Sequence, residues 1–178
     1  MNRVRVGDKY FELFIDSEQI QQKVAETAEN ITKEYRDKNP VFLCVLNGAF
    51  MFAADLLRNI NIPAEVSFIK FSSYNGTQST GKVSSLIGIN GNLQGRHIVL
   101  IEDIIDTGKT IHEILPQVLE HAPASVRLAS LLSKPSARTH DVRIDYTCFE
   151  IPDKFVVGYG LDYNEQGRNL QHIYALAD

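Results

Sequence analysis

The chain has 178 residues, 18 of them basic and 22 acidic, for a net charge of −4; 44% are apolar and 22% charged. That length and mix suit one globular domain spanning residues 1–178, and the acidic balance argues against a generic nucleic-acid binder, which is expected to be basic. No stretch approaches about 18 uninterrupted apolar residues, and residues 1–10 carry no apolar run of the kind a secretory signal needs. The expectation is a soluble cytoplasmic protein with neither a nucleic-acid nor a membrane partner.

The first apolar-periodic stretch places Ile20, Val24 and Ile31 four and seven apart, with Ala25 and Ala28 beside them. Asp16 or Ser17 stands where an N-cap belongs, and Gln19 follows Asp16 by three. The spacing predicts a helix over residues 18–36, ended by Lys38-Asn39-Pro40. Val41–Leu46 is short and continuously apolar, as in a parallel-sheet strand buried on both faces. Asn47-Gly48 punctuates it, and Phe52, Leu56, Leu57 and Ile60 resume helical spacing. Residues 65–71 read as a second strand. Residues 72–85 hold almost nothing apolar, and a polar insert of that length in a compact domain suggests a mobile lid over an active site.

Residues 97–101 form another buried-strand candidate, followed by a helical stripe of Ile111, Ile114, Leu115, Val118 and Leu119. Residues 126–132, 146–151 and 155–159 read as further strands. Strands alternating with helices predict an α/β fold with a central, mostly parallel sheet flanked by helices. Ligands of such sheets bind beyond the carboxyl ends of strands, which directs attention to the junctions Leu46/Asn47 and Ile101/Glu102. Cys44 and Cys148 sit inside apolar runs and read as buried free thiols. With no CxxC, HExxH or Cys/His cluster, no zinc site is indicated.

The segment from Val99 reads VLIEDIIDTGKT. At a strand-to-helix turn, residues 106–110 can wrap an anion: Gly108 permits a positive φ, amide groups point out of the helix start, and Thr107 and Thr110 add hydroxyls. The adjacent carboxylates Glu102 and Asp103 would repel a phosphate unless they hold hydroxyls or a hard cation, so a Mg²⁺-bound sugar diphosphate satisfies both halves of the motif. The bland alternative is an exposed acidic turn capping a helix. A P-loop would need glycine at position 103, which is Asp103, and no G-x-G-x-x-G follows a strand, so kinase and dehydrogenase readings fail.

VLIEDIIDTGKT resembles the phosphoribosyl-pyrophosphate (PRPP) motif of the type I phosphoribosyltransferases, in the form found in their hypoxanthine-guanine branch. FELFI at 11–15, VLNGAF at 45–50, Ser73-Tyr74, LLSKP at 131–135 and EIPDKFVVGYGLDY at 150–163, with Arg168 beyond, occur in the family's order. The resemblance implies the type I fold, with a small hood built from the chain termini. It implies conversion of hypoxanthine and guanine plus PRPP to IMP and GMP plus pyrophosphate, with Mg²⁺, in a homodimer or homotetramer. Enzymes for another base, or a PRPP-sensing regulator on the same fold, are the alternatives.

By that resemblance Glu102 and Asp103 hold the ribose hydroxyls directly or through Mg²⁺. Asp106, Thr107, Gly108, Lys109 and Thr110 cradle the 5′-phosphate, and Asp106 is also the catalytic acid/base at N7 of the purine. Lys134 donates to the 6-oxo group, although alone it would read as a solvated surface lysine. Phe155 stacks on the purine, Val156 offers backbone groups to its edge, and Asp162 is a further metal and base contact. Arg168 lies on the pyrophosphate side, while Ser73 and Tyr74 close over PRPP. Asn47 departs from the family pattern, in which many relatives carry lysine before Gly48. The loop at Asn47 and Gly48 is then left to bind pyrophosphate through its N–H groups, with a non-proline cis peptide as one way of presenting them.

Overall fold

The computed structural model describes residues 3–72, 84–89 and 91–177. Two short strands, β1 (Arg3–Val6) and β2 (Lys9–Ile15), precede α1 (Ser17–Tyr35), β3 (Val41–Leu46), α2 (Phe50–Asn59), β4 (Glu65–Ser72) and β5 (Ser84–Ile87). The chain continues through β6 (His97–Ile105), α3 (Lys109–Leu119), β7 (Ser125–Ser133), β8 (Tyr146–Glu150), β9 (Val156–Val157) and β10 (Ile173–Leu176). Six strands form one sheet in the order β5-β4-β3-β6-β7-β8, parallel except for the antiparallel β4–β5 pair. This is the predicted α/β architecture.

Alternation along the strands divides the core in two. Phe42 and Cys44 of β3, with Val99 and Ile101 of β6, join the cluster that takes Ile20, Val24 and Ile31 of α1 and Phe52 and Leu56 of α2. Leu43 and Val45, with Ile98 and Leu100, join the cluster that takes Ile111, Ile114 and Val118 of α3. Both faces of the sheet are thus covered, which is why its strands read as unbroken apolar runs. Helix α1 begins in the predicted capping box: the Asp16 carboxylate accepts from the Gln19 backbone N–H, and Gln19 Oε1 accepts from the Asp16 backbone N–H. Both cysteines are buried and free, and burial pushes their thiols up, to about 12 for Cys44 and about 11 for Cys148. Neither is a nucleophile near neutral pH.

The remaining strands build the hood, a sheet in the order β1-β2-β10-β9 that ties the two chain ends together. It has its own small core of Val6, Phe11, Val157 and Tyr174. It is fastened to the main body by Ile15, Val156 and Ile173, and by the Ser17 amide donating to His172 Nδ1 at 2.8 Å.

Two predicted strands change by more than a residue at an end. The strand expected over 97–101 runs on to Ile105, because Glu102, Ile104 and Ile105 continue the ladder opposite Ser130, Leu132 and Ser133 of β7. Glu102 and Asp103 therefore stand on the last turns of the pleat and not beyond the strand's end. The strand expected over 155–159 shrinks to Val156–Val157 and belongs to the hood. Gly158 at φ 99°, Tyr159 at φ 50° and Gly160 at φ 101° then turn the chain away. Most of the expected lid, including Ser73 and Tyr74, lies outside the described residues.

Candidate functional site

The carboxyl ends of β3 and β6 open into a cavity of about 290 Å³ lined by Val45, Leu46, Gly48 and Phe71 together with residues 102–111. The predicted phosphate and metal residues Glu102, Asp103, Asp106, Thr107, Gly108, Lys109, Thr110 and Gly48 meet in it. Asn47 is exposed beside the cavity, and its backbone amide belongs to a cis Leu46–Asn47 peptide. A methyl group on Gly48 would collide with the Asp103 carboxylate. Glycine is what lets the loop after β3 come so close to the acidic pair.

Gly108 caps α3 with φ 84°, in the left-handed region, and offers no side-chain cap. A β-carbon there would press on Val142, Arg138 and the His140 carbonyl. The first-turn amides are left to a ligand, with the helix dipole favouring an anion. Among the described residues only the Lys109 amide of that turn has a local acceptor, Thr107 Oγ1 at 3.3 Å, and that hydroxyl keeps its own proton to donate. The Thr139 and His140 amides both donate to the Thr107 carbonyl at 3.0 Å, pinning the turn from behind.

Glu102 is buried, 5% exposed, so the reading of an exposed acidic turn is excluded. It accepts from the Asp103 amide at 3.0 Å, and Asp103 accepts from the Ile104 amide at 2.8 Å. Burial, and then the neighbouring Asp103 charge, push the Glu102 carboxyl well above the usual carboxylate range; burial also raises Asp103, opposed by Glu102 and backbone hydrogen bonds and by Arg168. Among the described residues no lysine or arginine ion-pairs with either carboxylate.

This predicts a stability cost. A carboxyl whose folded value lies above its unfolded value destabilises the fold at any pH above both, and the cost is relieved as pH falls through the folded value. Glu102→Gln keeps the oxygen that accepts from Asp103 and removes the charge. Without Mg²⁺ or PRPP, its Tm at pH 8 is expected above the parent's, by about 2–4 °C per kcal/mol of penalty removed, with the gap closing as pH is lowered. Calorimetry across pH checks this; a variant less stable than the parent at pH 8 contradicts it.

Lys134 is not the solvated surface lysine its sequence suggests. It follows β7 directly, is 5% exposed, and reaches Asp106 Oδ2 at 3.1 Å and Asp153 Oδ1 at 3.2 Å. Asp153 was not singled out by the sequence; its only signal is its place in EIPDKF. Asp153, Lys154 and Phe155 line a second cavity of about 310 Å³, closed by Glu12, Leu13, Phe14 and residues 175–177 of the hood. Phe155 is 46% exposed there, set edge-on to Tyr163 at 5.9 Å between centroids. Phe155 and Asp106 thus line separate cavities, and the Lys134 ammonium stands between them.

Val156 pairs with Ala175 across β9 and β10, and the Leu176 amide donates to the Phe155 carbonyl. In that register the amide and carbonyl of Val156 face away from β10, on the sheet's edge. Arg168 donates to the Gly160 carbonyl at 2.9 Å and pairs with Asp162 at 2.8 Å, and the Glu165 amide also donates to Asp162. Asp162 is therefore engaged with its own loop, and among the described residues no group of three or more His, Cys, Asp or Glu side chains gathers as a metal cluster. Among the described residues no helix is long and apolar enough to cross a membrane.

Comparison with known proteins places this geometry. Residues 15–164 match the phosphoribosyl transferase domain family. The chain is 42% identical over 171 residues to a hypoxanthine-guanine phosphoribosyltransferase of Lactococcus lactis subsp. lactis, covering 95% of this chain and 93% of that one. It is 36% identical to a hypoxanthine-guanine-xanthine phosphoribosyltransferase of Tritrichomonas foetus, covering 100% and 98%. A crystal structure of a hypoxanthine-guanine phosphoribosyltransferase from Bacillus anthracis superposes with a TM-score of 0.87 at 41% identity, covering 93% of this chain and 98% of that one. Alike to these enzymes in sequence, sheet and strand-end turn over nearly its whole length, the chain belongs to the phosphoribosyltransferase family, in its hypoxanthine-guanine branch.

Proposed function

We propose that this chain, as one domain, transfers the phosphoribosyl group of PRPP to N9 of a 6-oxopurine, hypoxanthine and guanine foremost, giving the nucleotide and pyrophosphate. The observation that carries the reading is the buried Lys134 ammonium, 3.1 Å from Asp106 where the phosphate-binding turn begins. It sets a donor for a ring carbonyl beside a carboxylate for a ring proton.

In this reading the turn of residues 106–110 holds the 5′-phosphate through its amides and the Thr107 and Thr110 hydroxyls, and Asn47, Gly48 and Arg168 hold the pyrophosphate. Ser73 and Tyr74 would cover PRPP and exclude water. The C1′–oxygen bond to pyrophosphate breaks as the N9–C1′ bond forms, through an oxocarbenium-like ribose, and the purine's N7 proton passes to Asp106. Lys134 has three donors and no acceptor, so it suits a 6-oxo group and disfavours the 6-amino group of adenine. Phe155 supplies a stacking ring and Val156 an edge amide and carbonyl.

Glu102 and Asp103 fit a hard divalent cation: they are oxygen donors, adjacent, and free of cationic partners among the described residues. They would hold Mg²⁺ and the ribose hydroxyls, with Asp162 a second metal contact through water. Mg²⁺ when bound offsets the charge on the departing pyrophosphate.

A panel assay tests the reading. With PRPP and Mg²⁺ supplied, hypoxanthine and guanine, with xanthine as a third 6-oxo acceptor, are compared with adenine and uracil for nucleotide and pyrophosphate formed in equal amounts. Turnover confined to adenine or uracil would overturn it, as would retention on nucleic acid at moderate salt with no turnover of any base.

A further inference from the structure

The Ile151 amide donates to the Ser133 carbonyl at 2.8 Å, carrying the β7–β8 ladder past the end of β8. The Lys154 amide then donates to the Pro152 carbonyl at 2.7 Å, closing a three-residue turn centred on Asp153. That turn sets Asp153 opposite the residue that follows β7, which is Lys134. The lysine side chain is 6% exposed and its two acidic partners are 47% and 65% exposed, so both carboxylates reach in from solvent-facing positions to one buried ammonium. Asp106 belongs to the first cavity and Asp153 to the second.

We propose that Asp153 is a positioning residue: it holds the Lys134 ammonium at the purine's 6-position and so sets the preference for a 6-oxo over a 6-amino base. The inference rests on the role given to Lys134 above. An ammonium has three N–H donors; Asp106 and Asp153 take two, leaving one for the base. Asp106 must release the lysine, at least in part, to meet N7. Asp153 is then the partner that remains, and the ammonium is never left buried without an anion, a state that is strongly disfavoured. Without Asp153 the lysine has Asp106 alone and closes onto it. That withdraws the donor from O6 and occupies the carboxylate that N7 needs.

The test is calorimetric titration of IMP and AMP into the parent, Asp153→Asn and Asp153→Glu at neutral pH, with steady-state kinetics for hypoxanthine and PRPP. The parent is expected to prefer IMP. Asp153→Asn should lose about tenfold or more in IMP affinity, as for a charge-supported hydrogen bond, with AMP affinity unchanged. The KM for hypoxanthine should rise and the KM for PRPP hold, and Asp153→Glu should restore most of the loss. Asp153 is exposed, so an unchanged Tm is expected to accompany these effects. An Asp153→Asn protein that keeps the parent's IMP preference and hypoxanthine KM overturns the positioning role, as does one that loses IMP, AMP and PRPP alike. A parent that binds IMP and AMP equally fails earlier: it sinks the 6-oxopurine reading and this inference with it.

Discussion

Asp106→Asn is expected to lower kcat by roughly 10²–10⁴-fold, the range of a lost general acid/base, while PRPP binding holds. Asparagine has nearly the shape of aspartate, and its amide oxygen can still accept the Lys134 bond now made at 3.1 Å. The turn that follows keeps its shape for reasons independent of the carboxylate: the left-handed Gly108 and the two amides from residues 139 and 140 on the Thr107 carbonyl. The amide cannot take a proton, so the loss falls on an interaction made in the transition state and not on ground-state binding. Single-turnover rates together with PRPP dissociation constants check both halves. Equal turnover in variant and parent would remove Asp106 from the proton-transfer role.

Lys134→Ala is expected to lower kcat/KM for hypoxanthine and guanine by roughly 10²-fold or more, since a hydrogen bond from a buried charged donor contributes about 1.5–3 kcal/mol and Asp106 loses its partner as well. PRPP affinity should change little, because Lys134 is absent from the cavity that the phosphate turn lines. Discrimination against adenine should narrow, since the group that favours a carbonyl is gone. Lys134→Met, closer in volume, separates this from a packing defect and is expected to behave like alanine. Equal losses for base and PRPP would refute base recognition by Lys134.

What could be read before the structure was what local pattern encodes. Val41–Leu46 is found over the residues predicted, because a strand buried on both faces is apolar at every position. The capping box at Asp16 and Gln19 is equally local. In the sequence, two carboxylates at 102 and 103 look like the end of the strand from His97; only pairing with Ser130, Leu132 and Ser133 of another segment carries it onward. The hood strands leave still less signal. They are short, and their pairing is remote: Leu176 pairs with Phe11 from the far end of the chain. Of the four, only β9 falls within a segment whose residues read as a strand; the family resemblance implies a hood without giving its other strands.

The site divides in the same way. The phosphate turn is contiguous, so residue types at fixed spacing reveal it. The burial of Lys134 and its bond to Asp153 depend on two loops meeting, and neither charge nor spacing in the sequence marks that. The close approach of Gly48 to Asp103 is likewise a contact between two strand ends.

The most direct test of the account is a crystal structure with PRPP and Mg²⁺ bound. The 5′-phosphate is expected on the turn of residues 106–110 at the start of α3, with the ribose hydroxyls against Glu102 and Asp103. PRPP found elsewhere, with nothing at the Gly108 turn, would contradict it.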